Sequence, residues 1–99
     1  MDKIFEQFLG FQWDKGNSNK NLISHNVENW ECEQIFFNKP LIVLDDPRHS
    51  ESEKRWAAFG KTDSGRFLVI VFTRRSYLVR VISARDMNKN ERRYYDETG

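Results

Sequence analysis

The sequence predicts a compact α+β domain, in which a strand and two helices precede a four-strand antiparallel meander and a C-terminal helix. Three observations predict this class. Short runs rich in β-branched and aromatic residues follow one another in the second half of the chain, separated by turn residues. The run Phe67 to Phe72 is apolar at every position, which is typical of a central strand covered on both faces. Polar segments with capping residues precede and follow these runs, and the 99 residues are enough for one domain, 1–99, with one core.

The first predicted element is a short strand from Phe8 to Trp13, in which aromatic and polar positions alternate. The polar segment Lys15 to His25 then favours a helix because it is poor in β-branched residues. Asp14 is a suitable N-cap for this helix, and Asn26 is suited to end it in a left-handed turn.

A second helix is predicted from Trp30 to Phe37, with Asn29 as its cap and Lys39-Pro40 as its stop. Leu41 to Leu44 follows as a buried strand. It ends at the turn signal Asp45-Asp46-Pro47.

The predicted meander is completed by three strands: Lys54 to Lys61, Arg66 to Thr73, and Leu78 to Ala84. Asp63-Ser64-Gly65 is predicted to join the first two as a tight hairpin, and Arg74-Arg75-Ser76 to join the second two. Asn88 then caps a last helix that runs to Glu97.

Charge is distributed unevenly along the chain, although its net charge is only +1. The segment Lys54 to Arg93 holds eleven Lys and Arg against three Asp and Glu, whereas the rest holds five against twelve. Such a basic half favours a surface that faces a polyanion, and the acidic remainder favours a second partner. A solvated charged sheet face would have the same composition.

Several site classes are excluded by what the sequence lacks. With Cys32 as the single cysteine, neither an intramolecular disulfide nor a cysteine metal site can form. There is no glycine-rich phosphate loop, no Gly-x-Ser-x-Gly elbow and no paired histidine spacing for zinc, so we expect no cofactor and no metal. No apolar stretch approaches the roughly 20 residues of a membrane span, so we expect a soluble, cytoplasmic protein without membrane contact.

The segment Asp46 to Arg55 is the densest group of residues that could carry chemistry. It contains His49, Glu51, Glu53 and Arg55. If the extended conformation begins near Glu51, the two glutamates and Arg55 share one face of the strand and can act on the same ligand. The alternative is a turn followed by surface ion pairs of small energetic value.

Two arginines of the last predicted strand are further candidates. Arg80 lies between valines, where its charge needs a partner or solvent, so we expect it to line a groove or to meet a carboxylate such as Glu53. Strict alternation puts Arg85 on the opposite face, so both reach one site only if the strand bends or Arg85 lies beyond it. His25 is a second candidate acid or base, although its position taken alone favours a capping or packing role.

The order of these signals over Phe11 to Glu97 resembles the BrnT toxin family. The resemblance is carried by Trp13-Asp14, Asn21-Leu22, His25, Val27, Asp46-Pro47, His49-Ser50-Glu51, Glu53, Arg55, Gly60, Arg80, Ile82-Ser83-Ala84-Arg85 and Glu91-Arg92. At two places the sequence departs from the family pattern, since Asn17 stands where the family usually has lysine, and Ser24-His25-Asn26 stands where it has Lys-His-Gly.

The resemblance implies a RelE-like fold and a metal-independent ribonuclease toxin of a type II toxin–antitoxin pair. It also implies a BrnA-type antitoxin, commonly in a 2:2 complex with the toxin. Operator DNA would be contacted only through the antitoxin. We expect His49, Glu51, Glu53, Arg55 and Arg80 to be catalytic, with the arginines on the phosphate and the others as acid and base. The residues expected to bind RNA are Lys20, His25, Arg74, Arg75 and Arg85.

Two other classes of function use the same residues differently. A non-catalytic nucleic-acid-binding module would use the basic half together with exposed stacking aromatics, and would bind without cutting. A protein-interaction module would need neither Arg80 nor the carboxylates of the Asp46 to Arg55 segment.

Overall fold

The computed structural model of the chain describes residues 8–18, 25–47 and 53–99. Its elements in this part of the chain are β1 (Gly10–Phe11), α1 (Asn29–Ile35), β2 (Ile42–Asp45), β3 (Arg55–Lys61), β4 (Phe67–Arg75), β5 (Leu78–Asp86) and α2 (Lys89–Thr98). Neither of these two helices has the length and apolar character needed to cross a membrane.

The strands form one mixed sheet in the order β1-β5-β4-β3-β2. From β2 to β5 each strand pairs antiparallel with the next, as the predicted meander requires. β1, however, joins the edge of the sheet parallel to β5, with Gly10 opposite Leu78 and Phe11 opposite Val79. The α+β class is therefore confirmed, but the predicted layout is incomplete because the N-terminal strand belongs to the same sheet.

The central strand β4 is covered on both faces, as its unbroken apolar run predicts. Leu68, Ile70 and Phe72 pack with Ile35 of α1 in one core cluster, and this side is called the α1 face. Val69 lies on the opposite side, the α2 face, in a second cluster with Tyr95 of α2. Burying these side chains on both sides supplies most of the driving force for folding.

Helix α2 contacts only one end of the α2 face. Its Tyr95 packs against the Phe67 ring at 5.8 Å between centroids, and its Tyr94 packs against Phe59 at the same distance. Further along the same face, beyond these contacts, β3, β4 and β5 present Arg55, Thr73 and Arg80. This second end of the α2 face is therefore polar, whereas the end that contacts α2 is apolar.

Capping residues explain where the helices begin. Asn88 accepts from the backbone N–H of Glu91, and the Glu91 side chain accepts from the Asn88 N–H, so the predicted cap of α2 is confirmed. In α1 the cap is Glu28, whose N–H donates to Oε1 of Glu31 at 3.0 Å. The prediction of Asn29 as that cap was wrong, because Asn29 is already inside the helix.

The structure describes only part of the first predicted helix. Asn17 and Ser18 donate their N–H groups to the Asp14 carbonyl in a turn, and most of the remaining residues up to Ser24 lie outside the described residues. Asn26 has a φ of 55°, so the predicted left-handed residue is confirmed.

Two other predicted boundaries need correction. Arg74 and Arg75 belong to β4, and the turn to β5 is made by Ser76 and Tyr77, with Ser76 at a φ of 58°. β2 is an edge strand whose residues are half-buried or exposed, so the prediction that it is buried was wrong. The hairpin at Asp63-Ser64-Gly65 is confirmed, with Gly65 at a φ of 87°.

Candidate active site

Two of the predicted catalytic arginines lie in one row across the sheet. Arg55 of β3 is the register partner of Thr73 of β4, and Thr73 is also the partner of Arg80 of β5. Register partners point to the same side of a sheet, so both arginines project from the α2 face on either side of the buried Thr73. With strands about 4.8 Å apart, the two Cα atoms are about 10 Å apart, and two guanidinium groups can converge on one ligand.

An irregularity in β5 decides which of its arginines share a face. Val71 pairs with Ser83 and Phe72 pairs with Val81, so the register skips Ile82. Because of this bulge, Val81 and Ala84 both enter the core although they are three residues apart, and Arg80 and Arg85 both face the opposite side. The strict alternation that separated the two arginines does not hold along this strand.

Arg85 nevertheless does not join the row of Arg55 and Arg80. Its Nη1 and Nη2 donate to the Glu91 carboxylate at 2.7 and 2.8 Å. This contact attaches β5 to the first turn of α2. The hydrogen bond with Arg85 is also the main cause that lowers the pKa of Glu91.

Glu53 lies two residues before Arg55, the first residue of β3, and connects the row to a third arginine. Its carboxylate accepts from Nε of Arg75 at 2.9 Å and from Nη2 at 3.1 Å, and Nη2 of Arg55 is 4.0 Å away. The hydrogen bond with Arg75 lowers the pKa of Glu53 most, and the charges of Arg55 and Arg80 lower it further. Glu53 is therefore ionised at neutral pH, so it can accept a proton and has none to donate.

The partner of Arg80 is Asp14, and not Glu53 as the sequence suggested. Nη1 and Nη2 of Arg80 donate to the Asp14 carboxylate at 2.8 and 3.1 Å, and Nη1 also donates to Oε1 of Gln12 at 3.0 Å. The hydrogen bond with Arg80 is the main cause that lowers the pKa of Asp14, followed by the N–H of Gly16. The parallel pairing of β1 with β5 makes this contact possible across 66 positions of sequence.

We call Asp14, Glu53, Arg55, Arg75 and Arg80 the arginine cluster. Three guanidinium groups surround two ionised carboxylates on the end of the α2 face away from the α2 contacts. Guanidinium groups bind phosphate in bidentate geometry, and a carboxylate beside them can take a proton from a hydroxyl. The cluster therefore combines anion binding with a proton acceptor.

The other predicted site residues lie elsewhere or are not described. His25 is exposed at the opposite end of β4 and β5, where its carbonyl accepts from Nη2 of Arg66 at 3.2 Å. Arg74 faces the side opposite to Arg75, with its guanidinium over the Tyr77 ring at 5.6 Å. The predicted residues outside the described part of the chain are Lys20, His49 and Glu51.

The sequence did not reveal Gln12, Asp14 or Thr73 as neighbours of the arginines. Thr73 Oγ1 donates to the Lys54 carbonyl at 2.7 Å and thereby holds the chain between Glu53 and Arg55. Asp14 was interpreted as a helix cap, and its carboxylate does accept from the Gly16 N–H at 2.8 Å. The only sequence signal for a role beyond capping was that Asp14 belongs to Trp13-Asp14, one of the motifs that resemble the BrnT family.

Asn17, one of the two departures from the family pattern, has a structural role here. Its side chain is buried and donates to the carbonyls of Gln12 and Val81 at 2.9 and 3.0 Å, and accepts from the Asp14 N–H at 2.9 Å. These bonds attach the loop after β1 to β5. Asn17 therefore places Asp14 and Gln12 beside Arg80.

The described residues outside the arginine cluster include a groove and no candidate metal site. Within the described residues, no three side chains of the metal-binding types lie close together. On the α1 side of β1, an open apolar groove of about 290 Å³ is lined by Phe8, Leu9, Gly10, Phe11, Phe36, Phe37 and Val79. None of these described lining residues has a charged side chain, and the groove lies on the face opposite to Arg80.

Comparison with known proteins identifies the family. No protein with a curated description matches the sequence. A family profile described as "Ribonuclease toxin, BrnT, of type II toxin-antitoxin system" matches residues 13–91, which include Asp14, Glu53 and all three arginines of the cluster. The chain belongs to the BrnT family of ribonuclease toxins of type II toxin–antitoxin systems.

Proposed function

We propose that this ribonuclease toxin cleaves RNA without a bound metal ion, at the arginine cluster on the end of the α2 face away from the α2 contacts. The observation that carries the proposal is the row in which Arg55 and Arg80 flank Thr73, with Glu53 next to it. A scissile phosphate above Thr73 would lie within reach of both guanidinium groups. Their charge would stabilise the additional negative charge that develops on phosphorus in the transition state.

In this mechanism the ribose 2′-hydroxyl attacks the adjacent phosphorus while the bond from phosphorus to the 5′-oxygen breaks. Glu53 takes the proton of the 2′-hydroxyl, because its carboxylate is held ionised beside Arg75. The products are a 2′,3′-cyclic phosphate and a 5′-hydroxyl. The attacking oxygen comes from the RNA itself, so no metal-bound water is needed.

The leaving 5′-oxygen needs a proton donor. We assign this role to His49, because an imidazolium ion can donate a proton near neutral pH and His49 is four positions from Glu53 in the sequence. Glu51 is the second residue of this segment with a suitable group. His25 is placed near Arg66, at the other end of the sheet, and is therefore the weaker candidate.

The family implies a protein antitoxin as partner. We propose that it is of the BrnA type, that it forms a 2:2 complex with this chain, and that it alone contacts operator DNA. Inhibition of translation in the cytoplasm would follow from the cleavage of messenger RNA. An acidic or amphipathic segment of the antitoxin would neutralise the toxin by covering Arg55 and Arg80, since removing these groups from solvent excludes the phosphate.

The test is cleavage of a defined RNA in the presence of EDTA by four variants, Glu53→Ala, His49→Ala, Arg55→Ala and Arg80→Ala. Each variant should lose activity, and the wild-type products should carry 2′,3′-cyclic phosphate ends. Arg92→Ala is the control, because Arg92 pairs with Asp96 on α2. Undiminished cleavage by all four variants would overturn the assignment, and loss of wild-type cleavage in EDTA would overturn metal independence. A wild-type protein that binds RNA without cutting it would instead be a binding module.

A further inference from the structure

We propose that Asp14 and Gln12 are positioning residues that turn one edge of the Arg80 guanidinium toward the scissile phosphate. This inference rests on the proposed function, since it concerns how Arg80 meets RNA. It gives Asp14 of the arginine cluster a specific role and adds Gln12, from the same loop after β1, to the site.

The hydrogen bonds of Arg80 show which of its donors are occupied. A guanidinium has five N–H groups. Both hydrogens of Nη1 are used, one by Oε1 of Gln12 at 3.0 Å and one by Oδ2 of Asp14 at 2.8 Å. One hydrogen of Nη2 is used by Oδ1 of Asp14 at 3.1 Å.

Two donors of Arg80 are left, the Nε–H and the second hydrogen of Nη2. Among residues 8–18, 25–47 and 53–99, the structure gives neither of them an acceptor. These two N–H groups are parallel and form the side edge of the guanidinium, which binds two oxygens of a carboxylate or phosphate at once. Asp14 and Gln12 therefore occupy the other edges and leave this one for the substrate.

The loop that carries Asp14 is itself fixed in place. Asn17 binds the Asp14 N–H and the carbonyls of Gln12 and Val81, so the loop is attached to β5 next to Arg80. Gly16 lies against the guanidinium, since a Cβ atom at this position would be 2.8 Å from Nη2 of Arg80. A side chain there would displace Arg80, whereas glycine permits the close approach.

Because Asp14 is negatively charged, its effect on the orientation of Arg80 can be distinguished from an effect on the electrostatic attraction of RNA. A carboxylate beside Arg80 weakens the long-range attraction of this surface for RNA, so it cannot contribute to affinity by its charge. If its role is to orient Arg80, removing it should leave RNA binding unchanged or tighter while the chemical step becomes slower. A merely structural role predicts instead that binding and turnover decline together with the folded fraction.

The first experiment compares Asp14→Ala, Asp14→Asn and Gln12→Ala in steady-state cleavage of a defined RNA. We expect Asp14→Ala to lower kcat by about 10- to 100-fold, as is typical for misplacement of a catalytic group, with KM unchanged or lower. Asp14→Asn should regain part of that loss, because its amide oxygen still accepts from Arg80. Gln12→Ala should lower kcat by a smaller factor, since it removes one acceptor.

Asp96→Ala is the matched control. Asp96 also pairs with an arginine, and its side chain is 54% exposed, as is that of Asp14. This variant should cleave like the wild type. A wild-type kcat in Asp14→Ala, or an increase in KM alone, would overturn the proposal, and Asp14→Asn provides the same test if Asp14→Ala does not fold.

The second experiment does not depend on cleavage. The Nε–H resonance of Arg80, assigned with the Arg80→Lys variant in nitrogen-15 NMR spectra, is followed while a fully 2′-O-methylated RNA is added. We expect a shift of this resonance in the wild type and a weaker shift in Asp14→Ala at equal saturation. No shift in a wild type that binds this RNA would overturn the inference, whereas failure of the wild type to cleave unmodified RNA would overturn the proposed function.

Discussion

Replacing Glu53 by glutamine tests its role in catalysis, and the same replacement of Glu91 shows how much of any effect comes from a loss of stability. Glu53 accepts from Arg75 at 2.9 and 3.1 Å with 28% of its side chain exposed. Glu91 accepts from Arg85 at 2.7 and 2.8 Å with 20% exposed. In both residues the hydrogen bond with arginine is the main cause of a lowered pKa. Glutamine removes the charge of either residue and keeps its shape.

The expected effects on stability are small for both variants. A partly exposed ion pair contributes up to about 1 kcal/mol, so each replacement should lower the free energy of unfolding by about that amount or less. Glu91→Gln keeps the oxygen that accepts from the Asn88 N–H, so the cap of α2 should persist.

The expected effects on cleavage differ strongly. A general base contributes about 10²- to 10⁴-fold to a rate, so Glu53→Gln should cleave at least about 100-fold more slowly. A 100-fold change corresponds to about 2.7 kcal/mol of activation free energy, well above the expected change in stability. Glu91→Gln should cleave at the wild-type rate, because Glu91 contacts Arg85 at the end of the sheet near α2.

The assay is single-turnover cleavage with excess enzyme, together with urea unfolding of both variants under the same conditions. Single-turnover rates report the chemical step and exclude product release. Cleavage by Glu53→Gln within threefold of the wild type would refute its role as the base. Equal loss of activity in both variants would show that the effect acts through folding.

Three further predictions concern stability and association. Asn17→Ala should lower the free energy of unfolding by about 2–3 kcal/mol in urea titrations, since it leaves the buried Val81 carbonyl without its side-chain donor, and an unchanged midpoint would contradict this. The pKa values of Glu91 and Asp86 lie below their ordinary 4.5 and 3.8, so the stability they contribute is present above these values and is lost as pH falls through the lower folded-state values. The unfolding midpoint, measured at a series of pH values from 7 to 3, should therefore decrease once the pH is below about 4.5. The decrease should be smaller in Glu91→Gln. Association with the antitoxin should slow as ionic strength increases, and a rate independent of salt would contradict the electrostatic account.

Local signals in the sequence were sufficient for much of the fold. The apolar run of β4, the glycine of the hairpin at Gly65, the cap at Asn88 and the left-handed Asn26 are confirmed. Each depends on residues a few positions apart, where backbone preference and hydrophobic pattern act directly. The wrong predictions concern exact boundaries and burial: the α1 cap was placed one residue too late, and β2 was predicted to be buried although it lies at the edge of the sheet.

The charge pattern shows the limit of such signals. The sequence predicts a basic half, but several of its arginines are paired with carboxylates of the acidic remainder. Arg75 pairs with Glu53 and Arg80 pairs with Asp14. Under the proposed function, the arginine N–H groups that these ion pairs leave unoccupied are the ones that can bind RNA.

By itself, the sequence determined the class of the fold, the resemblance to the toxin family, and the importance of Arg55, Arg80 and Glu53 as candidates. Only the tertiary structure decided that Asp14 pairs with Arg80 and that Arg85 attaches α2 to the sheet. The first depends on the parallel pairing of β1 with β5 and the second on the bulge at Ile82. Both are properties of strand register, which is set by the packing of the whole sheet and has no local sequence pattern.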